Sequence, residues 1–461
     1  MIKQETRTSS DAVSGPAFVG WMLIGIVVVA PVPLGAARPW SAALLALLLA
    51  LALLFWAAAR LRNPLPLRIG LRRFAFVAGA FGLTVLWGFW QTLPLVPASW
   101  VHPLWHEAEA VLGPLQATVS LTPLAGRDAV MQWLAYGAAF FLAVQYGRDP
   151  AFAWRMIAAI ALASTLYAAY GFYNVASGAE KIGWLDKWAY RGMATGTLVN
   201  ANHFATLTGF GLLCCAALLL RRRETSGAKA KLLWWICVVI LLATLPLTHS
   251  RAGMFTTVCG GLLLVALAAW RRQSQKLAFG IIAALAISMA SLLLVGNLGH
   301  IDWVASADHR FQVFHLTALL IAERPLLGTG LGSFMDAFAA IRQIGMVPNW
   351  NAAHNTYLEL MLELGVPVAL VLLAVEAWLI WRCLYGAARR QRHWLICALV
   401  AAVSLQLALH SLIDFSAQIP AVAVCWSVLL GLGVAQSWSS RLPGRNREAD
   451  RPSSAPAVAE T

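Results

Sequence analysis

The chain has 461 residues, 60% of them hydrophobic and only 12% charged. That composition excludes a soluble domain, because apolar runs of about twenty residues recur along it, each long enough to cross a bilayer as a helix. The formal charge of +14 raises the question of nucleic acid, but the placement of the charges answers it differently.

The expected fold class is all-α: a polytopic integral membrane protein of about twelve transmembrane helices. The spans fall at 17–36, 40–59, 74–93, 129–147, 151–172, 197–220, 232–249, 252–270, 277–297, 356–381, 394–413 and 420–437. Residues 17–437 thus form one transmembrane domain between a polar tail at 1–16 and a polar, proline-containing tail at 438–461, the latter expected to be disordered. The first tail lacks the pattern of a signal peptide, so the first apolar run is expected to stay as a helix.

The connections alternate in charge. One set is short and basic; the other, comprising loops 94–128, 173–196 and 298–355 and two tight turns near His249 and Asp414, is poor in Lys and Arg. About 25 of the 34 Lys and Arg residues lie on the basic side, which the positive-inside rule makes cytoplasmic, with both termini inside and the long loop before the tenth span periplasmic. The net charge is then a topology signal, and no nucleic-acid partner is expected. Trp40, Trp87, Trp90, Trp100, Trp184, Trp188, Tyr190 and Trp350 at loop edges fit a belt against membrane lipids. The seven cysteines fall inside predicted spans or, for Cys383, two residues past the end of one, which disfavours structural disulfides and a cysteine metal site.

The most informative stretch is 298–365, polar between apolar neighbours and holding four of the ten histidines. A helix is expected over 308–324, ended by Pro325, and Gly328-x-Gly330-x-Gly332 reads as a loop. Thr356 with Glu359 has the form of a capping box, which places His354 at a helix mouth. There a histidine tends to be neutral and an anion is welcome, so His354 is a candidate base. Arg191 and Arg251 are candidate anion ligands, since the guanidinium fork suits phosphate oxygens; Arg310 reads as an interfacial arginine facing lipid headgroups. Asn200, Asn202 and His203 open the sixth span, where their side chains either bond to other helices or meet a substrate. Glu359 and Glu363 share one helix face and are expected to pair with Arg191 and Arg251. Asp414, after His410 at the end of the eleventh span, is a similar supporting carboxylate. His102 and His106 with Glu107 and Glu109 have metal-like spacing, but an amphipathic interfacial turn accounts for them, and no metal or other cofactor is expected.

Five segments together resemble the bacterial O-antigen ligase and polymerase superfamily: RGMATGTLVNANHFA at 191–205, HSRAG at 249–253, RPLLGTGLGSF at 324–334, AHNTYLELMLELG at 353–365 and HSLIDFSAQIPA at 410–421. The resemblance implies metal-independent, inverting glycosyl transfer at the periplasmic face of the inner membrane. The donor would be a glycan on undecaprenyl pyrophosphate, and the acceptor a hydroxyl of another glycan, of lipid A core or of another molecule. It also implies roles: Arg191 and Arg251 hold the pyrophosphate and His354 is catalytic; Asn355, Asn200, Asn202, Glu359, Glu363 and Asp414 are read beside it as supporting residues. Two other readings stand beside it. One is a flippase or other transporter of lipid-linked glycans, which matched broken helices would favour. The other is a metal-dependent membrane glycosyltransferase using Glu107 and Glu109.

Overall fold

The structure is a computed structural model that describes residues 16–64, 67, 69–221, 227–273, 303–342 and 350–438. The expected tails, except for residue 16 and residue 438, the expected ninth span at 277–297 and part of the long loop lie outside these residues.

The helices in chain order are α1 (Ala17–Val29), α2 (Pro39–Arg62), α3 (Ala75–Trp90), α4 (Pro103–Leu112), α5 (Pro123–Tyr146), α6 (Pro150–Ser177), α7 (Ala201–Leu220), α8 (Ala228–Leu247) and α9 (Arg251–Arg272). They continue with α10 (Trp303–Glu323), α11 (Phe334–Ile341), α12 (Thr356–Leu364), α13 (Val366–Arg389), α14 (Trp394–His410) and α15 (Pro420–Ser437). Among the described residues nine helices are long and apolar enough to cross a membrane, while α1 and α14 are apolar but shorter. The chain is a polytopic, largely helical membrane protein. One small departure from an all-α fold lies between α6 and α7, where β1 (Lys181–Ile182) pairs antiparallel with β2 (Leu185–Asp186).

Proline and glycine set several boundaries that hydropathy places elsewhere. The first span stops at Val29, because Pro31 and Pro33 lack the N–H that would continue it and Gly35 takes a left-handed turn at φ 71°. Prolines also start α2, α4, α5, α6 and α15 at their first helical positions, where a missing N–H costs nothing.

The largest correction concerns the expected tenth span. It is two helices, α12 and α13, broken at Gly365, whose φ of 78° is outside the helical region. The break leaves carbonyls without intrahelical donors. The glycine-rich loop supplies those donors: Thr329 N–H donates to the Leu362 carbonyl and Gly330 N–H to that of Glu363, both at 2.9 Å. Trp87 Nε1 donates to the Leu364 carbonyl at 2.9 Å and Gln91 Nε2 to that of Glu363, also at 2.9 Å. Gly330 has φ 99°, and a Cβ there would overlap the Ser120 side chain, so the loop's composition serves close backbone approach.

Packing centres on α14 and α15. Helix α15 lies against α5, α13 and α14, and α14 also against α7 and α9. The spanning windows of α15 and α7 are 94% and 83% buried, whereas that of α8 is only 22% buried. An apolar helix enclosed on every side lies in the bundle interior, and one open on most of its surface faces lipid. The ends of the enclosed helices α7 and α14 carry the polar residues described next.

Candidate active site

Asp414, in the turn between α14 and α15, is the hub. It is 1% exposed, and a carboxylate buried to that extent needs partners. Asn202, on the first turn of α7, donates from Nδ2 to Asp414 Oδ2 at 2.7 Å, and the Phe415 N–H donates to Oδ1 at 2.7 Å. His203 Nε2 lies 3.2 Å from Oδ1, and His354 Nδ1 lies 3.8 Å from Oδ2. Burial opposes the charge of Asp414, but the contacts with His203 and His354 and the nearby His410 outweigh it and hold the carboxyl well below its ordinary range.

His354 is held in a strained position. Its φ is 52°, an uncommon conformation for a residue with a side chain, and such outliers cluster at functional sites. Its ring meets Trp350 edge-on at 5.2 Å and Phe415 at 4.9 Å. Phe415 also packs edge-on against His203 at 4.6 Å. Nδ1 of His354 is buried without a hydrogen bond, since 3.8 Å to Asp414 is a charge contact but too long for a bond.

The local fold explains the placement. The N-cap of α12 is Asn355, whose Oδ1 accepts from Tyr357 N–H and Leu358 N–H at 3.1 Å each. The expected capping box from Thr356 is therefore not formed. Thr356 is instead the first helical residue and ties α12 to the hub: its Oγ1 donates to the Asp414 carbonyl at 3.2 Å and its N–H to the Ser411 carbonyl at 2.9 Å. Asn200 caps α7, accepting from Asn202 N–H at 2.8 Å, and so aims Asn202 and His203 at Asp414. Below them His410 Nδ1 lies 2.8 Å from Thr206 Oγ1 and 3.0 Å from Ser416 Oγ.

Glu359 and Glu363 differ from expectation. Glu359 Oε2 accepts from Ala353 N–H at 2.7 Å, directly bracing the residue before His354, and Glu363 Oε1 accepts from Phe334 N–H at 3.2 Å. Backbone N–H groups and, for Glu359, the Gln418 side chain hold the two carboxylates in place of the expected arginines. Glu363→Ala leaves buried N–H groups unpaired and is expected to lower protein yield and thermal stability. Glu363→Gln, which keeps one acceptor, is expected to be milder. Melting temperatures of the purified variants check this.

The two expected anion ligands lie on neighbouring segments. Arg191 Nε donates to the Lys187 carbonyl at 3.1 Å in the loop before α7. Arg251 is the first residue of α9, which Ser250 caps by accepting Gly253 N–H at 3.1 Å. The segments are joined by Ala194 N–H donating to the Leu247 carbonyl at 2.8 Å. Arg310 corrects the sequence reading. It points its Nη1 at the Ile413 carbonyl at 3.5 Å, beside Asp414. Tyr190, φ 55°, joins the same field: burial and then the Asp414 charge push its hydroxyl upward, with Arg310 opposing. Neither residue has a local sequence signal, since both acquire their role from tertiary contact.

His102 is the N-cap of α4; its Nδ1 accepts from Leu104 N–H at 3.3 Å, and burial and Arg324 lower its pKa to about 4. That nitrogen is committed to capping. Beneath the hub a cavity of about 630 Å³ runs between α3, α5 and α13–α15, mostly apolar, with Glu359 and Glu363 in its wall.

The fold and this site define a multi-pass membrane protein with a buried histidine–carboxylate cluster at one end of its bundle. Residues 236–373, which include Arg251, His354, Glu359 and Glu363, match the family model described as O-antigen ligase. The matched part is under half of the chain and leaves Arg191, Asn202 and Asp414 outside it. No curated protein matches the chain. The match and the helical membrane architecture support an enzyme of O-antigen ligase- or polymerase-like function.

Proposed function

We propose that the protein transfers a glycan from an undecaprenyl-pyrophosphate carrier to an acceptor hydroxyl at the periplasmic face of the inner membrane. The observation that carries this reading is His354, strained, walled by two aromatic rings and directed with Nδ1 toward the buried Asp414. With Nδ1 facing the carboxylate, Nε2 is the nitrogen for the acceptor. As the acceptor oxygen attacks the anomeric carbon, Nε2 takes its proton and Asp414 stabilises the imidazolium formed. The bond from that carbon to the pyrophosphate oxygen breaks, and the lipid pyrophosphate leaves as an anion stabilised by Arg191 and Arg251, with Arg310 at the rim. Attack opposite the leaving group inverts the anomeric centre. The apolar cavity beneath the hub suits a hydrocarbon tail.

A transport reading draws on the broken helix at Gly365. Its Leu362 and Glu363 carbonyls, however, are occupied by loop N–H groups and are not left to coordinate an ion.

Arg251→Ala and Arg191→Ala are expected to weaken donor-lipid binding as well as turnover, because pyrophosphate charge is present in both ground and transition states. Lysine at either position is expected to rescue poorly, since a point charge cannot replace the fork. Titration of purified protein with a lipid-pyrophosphate glycan checks both; unchanged donor affinity in the alanine variants contradicts the assignment. For orientation, a cysteine in place of Met335, 54% exposed next to the buried Ser333, is expected to react with an impermeant maleimide in intact spheroplasts. Labelling only after permeabilisation reverses the topology.

A further inference from the structure

Arg38 lies outside the histidine–carboxylate cluster, and two facts set it apart. It is the N-cap of α2, a position that favours Ser, Thr, Asp or Asn. It also lies at the end of α2 opposite the basic Arg60 and Arg62, against the charge pattern of the other connections. Its guanidinium stacks over Trp188, 5.3 Å from the ring centroid, in the loop that carries Arg191. Arg38 lines a pocket of about 230 Å³ together with Asp128, Gln132, Asn351, Gln418 and Phe415. Phe415 is the ring that packs on His354 and His203, so the pocket adjoins the candidate site.

The chemistry of the lining selects a ligand. A sugar ring carries hydroxyls that both donate and accept, and C–H faces that are apolar. The wall offers a carboxylate that only accepts, a guanidinium that only donates and three amides, of which Asn351 has both amide groups to offer while Gln132 already accepts from the Tyr136 hydroxyl and Gln418 already bonds Glu359, with an aromatic ring beside them. One arginine and one aspartate leave the wall near neutral, unlike a site for pyrophosphate. The volume falls just under the usual range for drug-sized ligands, which leaves room for one ring and not for a chain. Neither Arg191 nor Arg251 lines the pocket, so on the proposed mechanism it is open to the second substrate.

We infer that this pocket binds the terminal neutral sugar of the acceptor, with Asp128 and Arg38 as the residues that determine which sugar is read. The inference rests on the proposed glycosyl transfer for the word acceptor, but the binding site stands on its own geometry. The test uses the full-length protein in nanodiscs and a panel of methyl glycosides: glucoside, galactoside, mannoside, N-acetylglucosaminide and, as a charged contrast, glucuronide. Saturation-transfer NMR is expected to show at least one neutral glycoside binding wild type, with the signal lost in Asp128→Asn and Arg38→Gln, whose side chains are exposed and not part of the core. With a glycan acceptor ending in that sugar, both variants are expected to raise the acceptor KM about tenfold or more while kcat and donor affinity hold. No neutral glycoside binding, binding unaffected by both substitutions, or binding of the glucuronide alone overturns the inference. Binding that is lost in the variants while wild type transfers nothing to any acceptor upholds the pocket and removes the transfer reading. Normal transfer with an unchanged acceptor KM in both variants does the reverse.

Discussion

Replacing His354 with alanine is expected to lower glycosyl transfer by roughly 10²–10⁴-fold, the usual contribution of a positioned general base, while donor-lipid affinity stays near wild type. On the proposed mechanism the imidazole acts on the acceptor's proton while arginines on the α6–α7 loop and at the start of α9 meet the donor's charge, so the two parts of the result separate. The backbone of His354 sits at φ 52°, so alanine there retains strain and relieves none of it. Folding is held by Asn355 capping and by Thr356 bonding to Asp414 and Ser411, all of which survive the substitution. A single-turnover assay alongside a donor titration distinguishes this from a folding defect.

Asp414→Asn is expected to have an effect of similar or larger size, on the order of 10³–10⁴-fold, as for other buried carboxylates that orient a catalytic histidine. Both carboxylate oxygens are engaged: Asn202 and Phe415 donate to them, and His203 and His354 face them at 3.2 and 3.8 Å. An amide keeps the shape but sets an NH₂ group against at least one of those neighbours and removes the charge that, on the proposed mechanism, stabilises the imidazolium formed during transfer. The pH dependence follows in sign. The carboxyl is held below its ordinary value, so its stabilisation is fully present above the unfolded value of about 3.9 and fades as pH falls through the lower folded one. Wild type is therefore expected to lose stability on acidification below that point, and Asp414→Asn to lack that component. Thermal melts across the acid range check it.

Much of this was legible in the chain. Hydropathy located most of the helices, because a bilayer-spanning segment is fixed by length and apolarity alone. His354, Asn202 and Asp414 stood out because polar groups at the ends of apolar spans are costly without partners. What sequence could not supply was partnership. Glu359 and Glu363 read as mates for arginines, since opposite charges in a membrane protein invite pairing, yet loop N–H groups reached them first. The break at Gly365 was masked by the apolarity of α12 and α13, although Gly365 followed by Pro367 at the start of α13 is a pairing that ends one helix and opens the next. Arg310 and Tyr190 matter only through the turn that carries Asp414, contacts made between residues more than a hundred positions apart.

The most direct test of the account is a reaction with purified protein in nanodiscs, a defined undecaprenyl-pyrophosphate glycan and a hydroxyl acceptor, following both products in the presence of EDTA. Wild type is predicted to release one free lipid pyrophosphate for each glycosylated acceptor, at a rate the chelator does not change, and His354→Ala to release almost none while still binding donor. Full activity in His354→Ala, or activity lost to EDTA and restored by a divalent cation, would contradict it.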